Sequence, residues 1–163
     1  MNGKKMLDEV RIRPVSPEEA EDLSDIAWRS KAYWEYPADM MKDFRDFLTI
    51  TEDFLEKNPS YLAEDEESEE KLGFYCLEVG EDGRWWLRHL WVAPEYIGTG
   101  IGGELFLHAC EMAETVGADE LYILSDPNCE EFYLHMGAEK TGTTTLNVGR
   151  IKRTLPVLRI KLQ

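Results

Sequence analysis

Apolar positions along the chain change period several times, and each change marks an element. Residues 10–13 alternate apolar and basic side chains, which predicts an edge-like strand. Ser16-Pro17-Glu18-Glu19 has the form of a capping box with proline at the first helical position. Ala20, Leu23, Ile26 and Ala27 follow at helical spacing. Tyr33, Trp34 and Tyr36 precede a break at Pro37, and a second helix from Ala38 or Asp39 carries Met40, Met41, Phe44, Phe47 and Leu48. Beyond Pro59 strand patterns take over at residues 61–63, 72–79 and 84–92, with the acidic run 64–71 expected as a solvated hairpin loop and 80–83 as a turn. A helix is predicted from Gly100 to about Val116, with Leu105, Ala109, Met112 and Val116 on one face and Gly117 as its cap. A short strand at 121–124 leads to a helix opened by Asp126-Pro127. That helix has Glu130 and Glu131 in its first turn, Phe132 and Met136 facing inward, and Gly137 at its end. Strands near 138–147 and 154–162 close the order β-α-α-β-β-β-α-β-α-β-β. That order predicts one α/β (α+β) domain over residues 1–163, built on a mixed sheet.

Charge narrows the partners. Lys and Arg number 18 against 33 Asp and Glu, a net charge of −15, which argues against nucleic acid or an anionic membrane as partner. Cys76, Cys110 and Cys129 lie in apolar segments at spacings that fit no metal site, so reduced buried thiols and no metal are expected. The first nine residues hold two lysines with no apolar run behind them, and no run approaches the roughly 18 residues of a membrane span. A cytoplasmic location is the expectation.

The chemistry concentrates at Ile97-Gly98-Thr99-Gly100-Ile101-Gly102-Gly103, between a long strand and a long helix. Glycines let the backbone approach a ligand closely, and free N–H groups at a helix start attract an anion, a pyrophosphate above all. Gly98, Gly100 and Gly103 also satisfy the dinucleotide pattern G-x-G-x-x-G, which keeps a nucleotide-binding oxidoreductase as one reading. Against it, Pro94-Glu95-Tyr96 separates the glycines from their strand, only 60 residues follow Gly103, and short hairpin loops make the preceding strands antiparallel.

Leu90-Trp91-Val92-Ala93-Pro94-Glu95-Tyr96-Ile97-Gly98-Thr99-Gly100-Ile101-Gly102 resembles the acetyl-coenzyme A motif of the GNAT family of N-acetyltransferases: a strand ending in V-x-P, then (Q/R)-x-x-G-x-(G/A), then a helix. Phe132-Tyr133-Leu134-His135-Met136-Gly137-Ala138 is similar to the family's F-Y-x-x-x-G-(F/A) stretch. Ile97 departs from the family's Gln or Arg, and Asp126 stands where the family often has Asn, leaving open whether Asp126 or Asn128 meets the pantetheine. The resemblance implies a mostly antiparallel sheet whose strands 84–92 and 121–124 splay apart to admit acetyl-CoA. In that arrangement Leu90, Trp91 and Val92 line the pantetheine, and Ile97, Gly98, Thr99, Gly100, Ile101 and Gly102 form the pyrophosphate loop. It implies direct transfer of the acetyl group to an amine of a small molecule or protein terminus, with Tyr133 as the acid for the departing thiolate. It supplies no certain base, and His89 and Glu78 are the candidates. Alternation would put Leu87, His89 and Trp91 on one face. Tyr33, Trp34 and Tyr36 are candidates for an aromatic substrate wall, and Arg150, in a basic cluster with Lys152 and Arg153, for a substrate carboxylate or a solvated turn. Homodimers are common in the family, so that assembly stays open. A non-catalytic acyl-CoA-binding module is the other reading that these residues allow.

Overall fold

The computed structural model describes residues 9–163, so the expectation of no signal segment at the N-terminus falls, save for Glu9, outside the described residues. The chain forms β1 (Val10–Pro14), α1 (Ala20–Ala32), α2 (Ala38–Leu48), α3 (Glu52–Lys57), β2 (Ser60–Asp65), β3 (Lys71–Val79), β4 (Trp85–Val92), α4 (Ile101–Thr115), β5 (Glu120–Leu124), α5 (Glu130–His135), β6 (Glu139–Val148) and β7 (Ile151–Lys161). The seven strands make one sheet in the order β1-β2-β3-β4-β5-β7-β6. Only β4 and β5 run parallel, so the mixed, mostly antiparallel sheet is as expected, with β1 at one edge. A Rossmann sheet is thereby excluded, because that fold is built on a mostly parallel sheet and here one pair of six is parallel.

Local chemistry sets the boundaries. The Glu19 carboxylate accepts the Ser16 N–H at 2.9 Å, closing the turn that leads into α1. Gly117, at φ 93°, terminates α4, and its N–H donates to the Glu114 carbonyl at 2.9 Å. Helices α1, α2 and α3 cover one sheet face, where Phe47 and Phe54 pack on His89 of β4. Helices α4 and α5 cover the other, where the Tyr75 hydroxyl of β3 lies 2.6 Å from His108 Nδ1 of α4, and Phe106 of α4 packs on Tyr133 of α5. Gly73 allows α4 close to the sheet: a Cβ there would stand 2.7 Å from the Trp91 carbonyl oxygen and 3.1 Å from Leu105 Cδ1.

Three details differ from the sequence reading. Helix α3 was not expected; its six residues are too few to show a period, and its signal is the Thr51 hydroxyl, which accepts the Phe54 N–H at 3.1 Å. Glu64 is not in a solvated loop but is a buried residue of β2, 3% exposed, with Arg11 Nε of β1 donating to its carboxylate at 2.7 Å and an Arg13 nitrogen at 3.2 Å. The basic residues of the edge strand supply the countercharge that lets an acid be buried. On α4 the buried stripe runs through Ile101, Leu105, Phe106, Ala109 and Ala113, while Val116, beyond the last helical residue, is exposed.

Candidate active site

Strand β4 pairs with β5 only at Trp85↔Leu121, Trp86↔Tyr122 and Leu87↔Ile123, yet it stays paired with β3 as far as Gly73↔Val92. From Arg88 onward its β5 side is therefore open. The Ala93 N–H donates to the Leu72 carbonyl at 2.9 Å, so antiparallel alternation turns the N–H and C=O groups of Leu90 and Val92 away from β3 and into the opening. A cavity of about 490 Å³ occupies the splay. Its walls include Tyr133 from the α4–α5 face and Lys31, Phe44 and Phe47 from the α1–α2 face, so it passes through the sheet between strands.

A bulge shapes this stretch. His89 pairs with Cys76 and Leu87 with the adjacent Leu77, leaving Arg88 as the extra residue. Partners of adjacent residues lie on opposite faces, so Leu87 does not share a face with His89 and Trp91, contrary to simple alternation. The bulge instead brings Trp86, His89 and Trp91 to the cavity face, alongside Glu78, which pairs with Trp86.

The glycine loop sits where β4 meets α4. Gly98 and Gly100 have φ of 84° and 95°, a left-handed backbone that side chains with a Cβ resist. The N–H groups of Ile97 and Thr99 are taken internally, by the Pro94 carbonyl at 3.3 Å and the Tyr96 carbonyl at 3.2 Å. The N–H groups of Gly98, Gly100, Ile101 and Gly102 find no backbone acceptor among the described residues. Those four lie in the loop and first turn of a 15-residue helix, whose dipole adds to their pull on an anion. Ile97 and Thr99, predicted as ligands with the rest, thus shape the loop with backbone N–H groups already in use.

Tyr133 is buried at the cavity wall, packed edge-on against Phe106 and Phe132 with ring centroids 5.6 and 5.0 Å away. Burial, with Cys129 and Asp126 nearby, pushes its phenol well above the usual range, so the group holds its proton. His89 is a different case. Its ring lies among Phe47, Phe54 and Phe74, it is 4% exposed, and its Nδ1 accepts the Trp91 indole N–H at 3.0 Å. Burial, helped by the neighbouring Arg88 charge, lowers its pKa to about 3. With its lone pair engaged and its cation disfavoured, His89 is unsuited to take a proton at neutral pH, and the expectation of a base there is corrected to a packing role. The unfolded imidazole titrates near 6.5, so His89 adds to stability above that value, and this contribution is lost as pH falls toward about 3. An imidazole NMR titration is expected to show no protonation of His89 between about pH 5 and 8; a midpoint near 6.5 would place the ring in water. Glu78, also on the cavity wall, pairs with Arg88 at 3.3 Å and remains partly exposed.

Sequence reading missed the cluster at the acceptor end. Asp126 caps the turn before α5 by accepting the Asn128 N–H on Oδ1 at 2.8 Å. Its Oδ2 takes the Lys31 ammonium and the Tyr36 hydroxyl, the latter at 2.7 Å, and lies 3.8 Å from an Arg153 nitrogen. Arg153 also donates to the Tyr36 oxygen at 3.1 Å, and Asn128 Nδ2 does so at 3.2 Å. The Lys31 ammonium stands 4.6 Å from the Phe44 ring centroid and 4.9 Å from that of Tyr36, within cation–π range. Burial pulls the Lys31 pKa down against the pull of Asp126. Burial would raise Asp126, but Lys31 and the hydrogen bonds from Asn128 and Tyr36 outweigh it and hold the carboxyl below its ordinary range. Tyr36, half-buried and bonded to Asp126, is pushed up to about 12. Of the predicted substrate residues, Tyr36 joins this cluster. Tyr33 and Trp34 pack edge-on against each other at 5.2 Å, are exposed, and do not line the cavity. Arg150 lies outside too: it is exposed and bonds Asp43, tying the β6–β7 turn to α2, with Arg153 at the cavity in its place.

The model of the acetyltransferase (GNAT) family matches residues 20–138. The chain belongs to the GNAT family. The GCN5-related N-acetyltransferase from Rhodopseudomonas palustris superposes with a TM-score of 0.81 at 20% identity, covering 97% of this chain and 99% of that one. The PaiA N-acetyltransferase from Thermoplasma acidophilum, solved with coenzyme A, gives 0.71 at 18% identity over 94% and 99% of the two chains. YjaB from Escherichia coli, in its apo form, gives 0.67 at 26% identity over 94% and 97%. No curated protein sequence matches this chain significantly. Among the described residues no helix is long and apolar enough to cross a membrane, and no cluster of potential metal ligands occurs.

Proposed function

We propose that this GNAT protein is one domain over residues 1–163 that transfers the acetyl group of acetyl-CoA directly to an amine of a small molecule or protein terminus. The observation that carries the reading is the splay: β4 leaves β5 after Leu87, presents free N–H and C=O groups at Leu90 and Val92, and ends at the glycine loop and its N–H groups. Those features suit a pantetheine arm laid along a strand edge and a pyrophosphate at a helix start.

The sheet-crossing cavity brings two reactants together from opposite faces. The neutral amine attacks the thioester carbonyl carbon, the C–S bond breaks, and the sulfur leaves with its electron pair. Tyr133, which keeps its proton, donates a hydrogen bond to that sulfur and stabilises the departing thiolate, which takes its proton from water. The ammonium proton passes through water to Glu78, the carboxylate on the cavity wall that remains in contact with solvent. His89 takes no part in proton transfer, for the reasons given by its burial and its bond from Trp91.

The test is melting temperature with acetyl-CoA, CoA and NADH, followed by thiol release with an amine panel. Acetyl-CoA at about 100 times its Kd is expected to add about 2.7 kcal/mol to folding stability, and NADH none. A melting temperature unmoved by acetyl-CoA would defeat the reading. Binding without thiol release across the panel would support the acyl-CoA-binding module instead.

A further inference from the structure

The acceptor half of the cavity carries an uneven charge. Five charged side chains line the whole space: Lys31, Arg88 and Arg153 against Glu78 and Asp126. Arg88 and Glu78 pair with each other at 3.3 Å. That leaves Lys31 and Arg153 sharing the single carboxylate of Asp126, one of whose oxygens is already engaged by the Asn128 N–H. The Lys31 and Arg153 side chains are only 6% and 12% exposed. One positive charge is therefore uncompensated in a confined space, within a protein whose net charge is −15.

Hydrogen bonding points the same way. Arg153 carries five N–H donors, of which one is used, toward the Tyr36 oxygen at 3.1 Å. Its approach to Asp126, at 3.8 Å, is too long for a hydrogen bond. A planar guanidinium with spare donors is the usual partner of a carboxylate in bidentate geometry. Around it stand Phe44, Phe47, Leu146 and Leu155, which offer apolar surface and no competing acceptor. Lys31, Arg153 and these apolar residues come from α1, α2 and the β6–β7 hairpin, and no residue of the glycine loop lines the cavity with them, so they suit the acceptor and not the phosphates.

We infer that the acceptor is an amine that also carries a carboxylate, held by Arg153 with Lys31 behind it, so that its amino group is turned toward the thioester. This rests on the transferase reading and adds the substrate class. The carboxylate neutralises the excess charge, and Asp126, Tyr36 and Phe44 hold the two cations in place before it arrives.

The experiment uses matched acceptors that differ only in a carboxylate against its primary amide: phenylalanine, β-alanine and γ-aminobutyrate, each beside its amide. Thiol release gives kcat/KM for each, and calorimetry without acetyl-CoA gives binding. For at least one pair the carboxylate is expected to be favoured by about 10–100-fold, the worth of a charged hydrogen bond. In Arg153→Met that ratio is expected to fall to within about threefold of unity, with Arg153→Lys intermediate. Arg153→Met leaves the Lys31–Asp126 pair balanced, so its fold is expected to hold, and circular dichroism checks this. Equal response to both members of every pair, including none to either, overturns the inference, as does a ratio that Arg153→Met leaves unchanged. Failure of the transferase reading looks different: acetyl-CoA then neither shifts the melting temperature nor releases thiol with any amine, while a carboxylate preference in calorimetry still reports on Arg153.

Discussion

Tyr133→Phe is expected to lower kcat by about 10²–10³-fold, the range seen when one preorganised donor to a developing anion is removed. The variant isolates the hydroxyl. Phenylalanine keeps the edge-on contacts with Phe106 and Phe132, and among the described residues the Tyr133 pKa rises from burial and nearby charge with no hydrogen bond as a cause. Stability should therefore change little, and acetyl-CoA should bind with much the same affinity. The phenol's high pKa matters to the chemistry. A thiol in water loses its proton near 8.5, so a phenol well above that range favours a hydrogen bond to the thiolate. Single-turnover kinetics with a defined amine would separate this step from binding and release. A kcat within about threefold of wild type would remove Tyr133 from the reaction.

The parts of this site that lie together in the chain were legible in the sequence. The loop from Ile97 to Gly102 follows its strand and opens its helix, so the whole candidate anion loop is one continuous stretch of sequence. Phe132 and Tyr133 fall on one short helix for the same reason. What sequence could not show was assembled across elements or by a shift of register. Arg88 bulges out of β4, so His89 changes face relative to Leu87, and a candidate base becomes a buried ring. No residue type in that strand announces the bulge. Arg150, Lys152 and Arg153 read as one basic cluster ahead of the last strand, which the sequence pattern places near 154–162. That strand starts at Ile151, which places Arg153 inside β7, paired with Leu146, and facing the cavity. Lys31, Asp126 and Arg153 come from α1, the loop after β5, and β7, and no local period links them. Asp126 did carry a signal, since it stands where the family often has Asn. Its meaning needed the two cations that fold against it.

Asp126→Asn is expected to be the most destabilising conservative change in this region. Replacing the carboxylate by an amide of the same shape keeps the cap on Asn128 and removes, among the described residues, the one carboxylate that pairs with both Lys31 and Arg153. Breaking a buried pair by removing one partner typically costs about 3–5 kcal/mol, because the remaining charge is left unpaired out of water. For a chain of this size that corresponds to a fall of about 6–20 °C in melting temperature. The pH dependence has a definite sign at each end. Asp126 is held below its ordinary pKa in the folded state, so its contribution is present above the unfolded value near 3.9 and is lost as pH falls through the folded one. Lys31 is also held below its ordinary value, so the unfolded chain binds its proton more tightly. Stability from that group therefore rises with pH from the folded value toward about 10.4. Wild-type melting curves should show the acid limb, and Asp126→Asn should lose the part of it that belongs to this carboxylate. Adding Lys31→Met to Asp126→Asn should recover part of the loss, since it removes one stranded cation, and the double-mutant cycle then measures the coupling between the two side chains. Urea unfolding of the four proteins decides the matter. If Asp126→Asn costs under about 1 kcal/mol, the cations are hydrated through the cavity and the pair is not holding the acceptor end together.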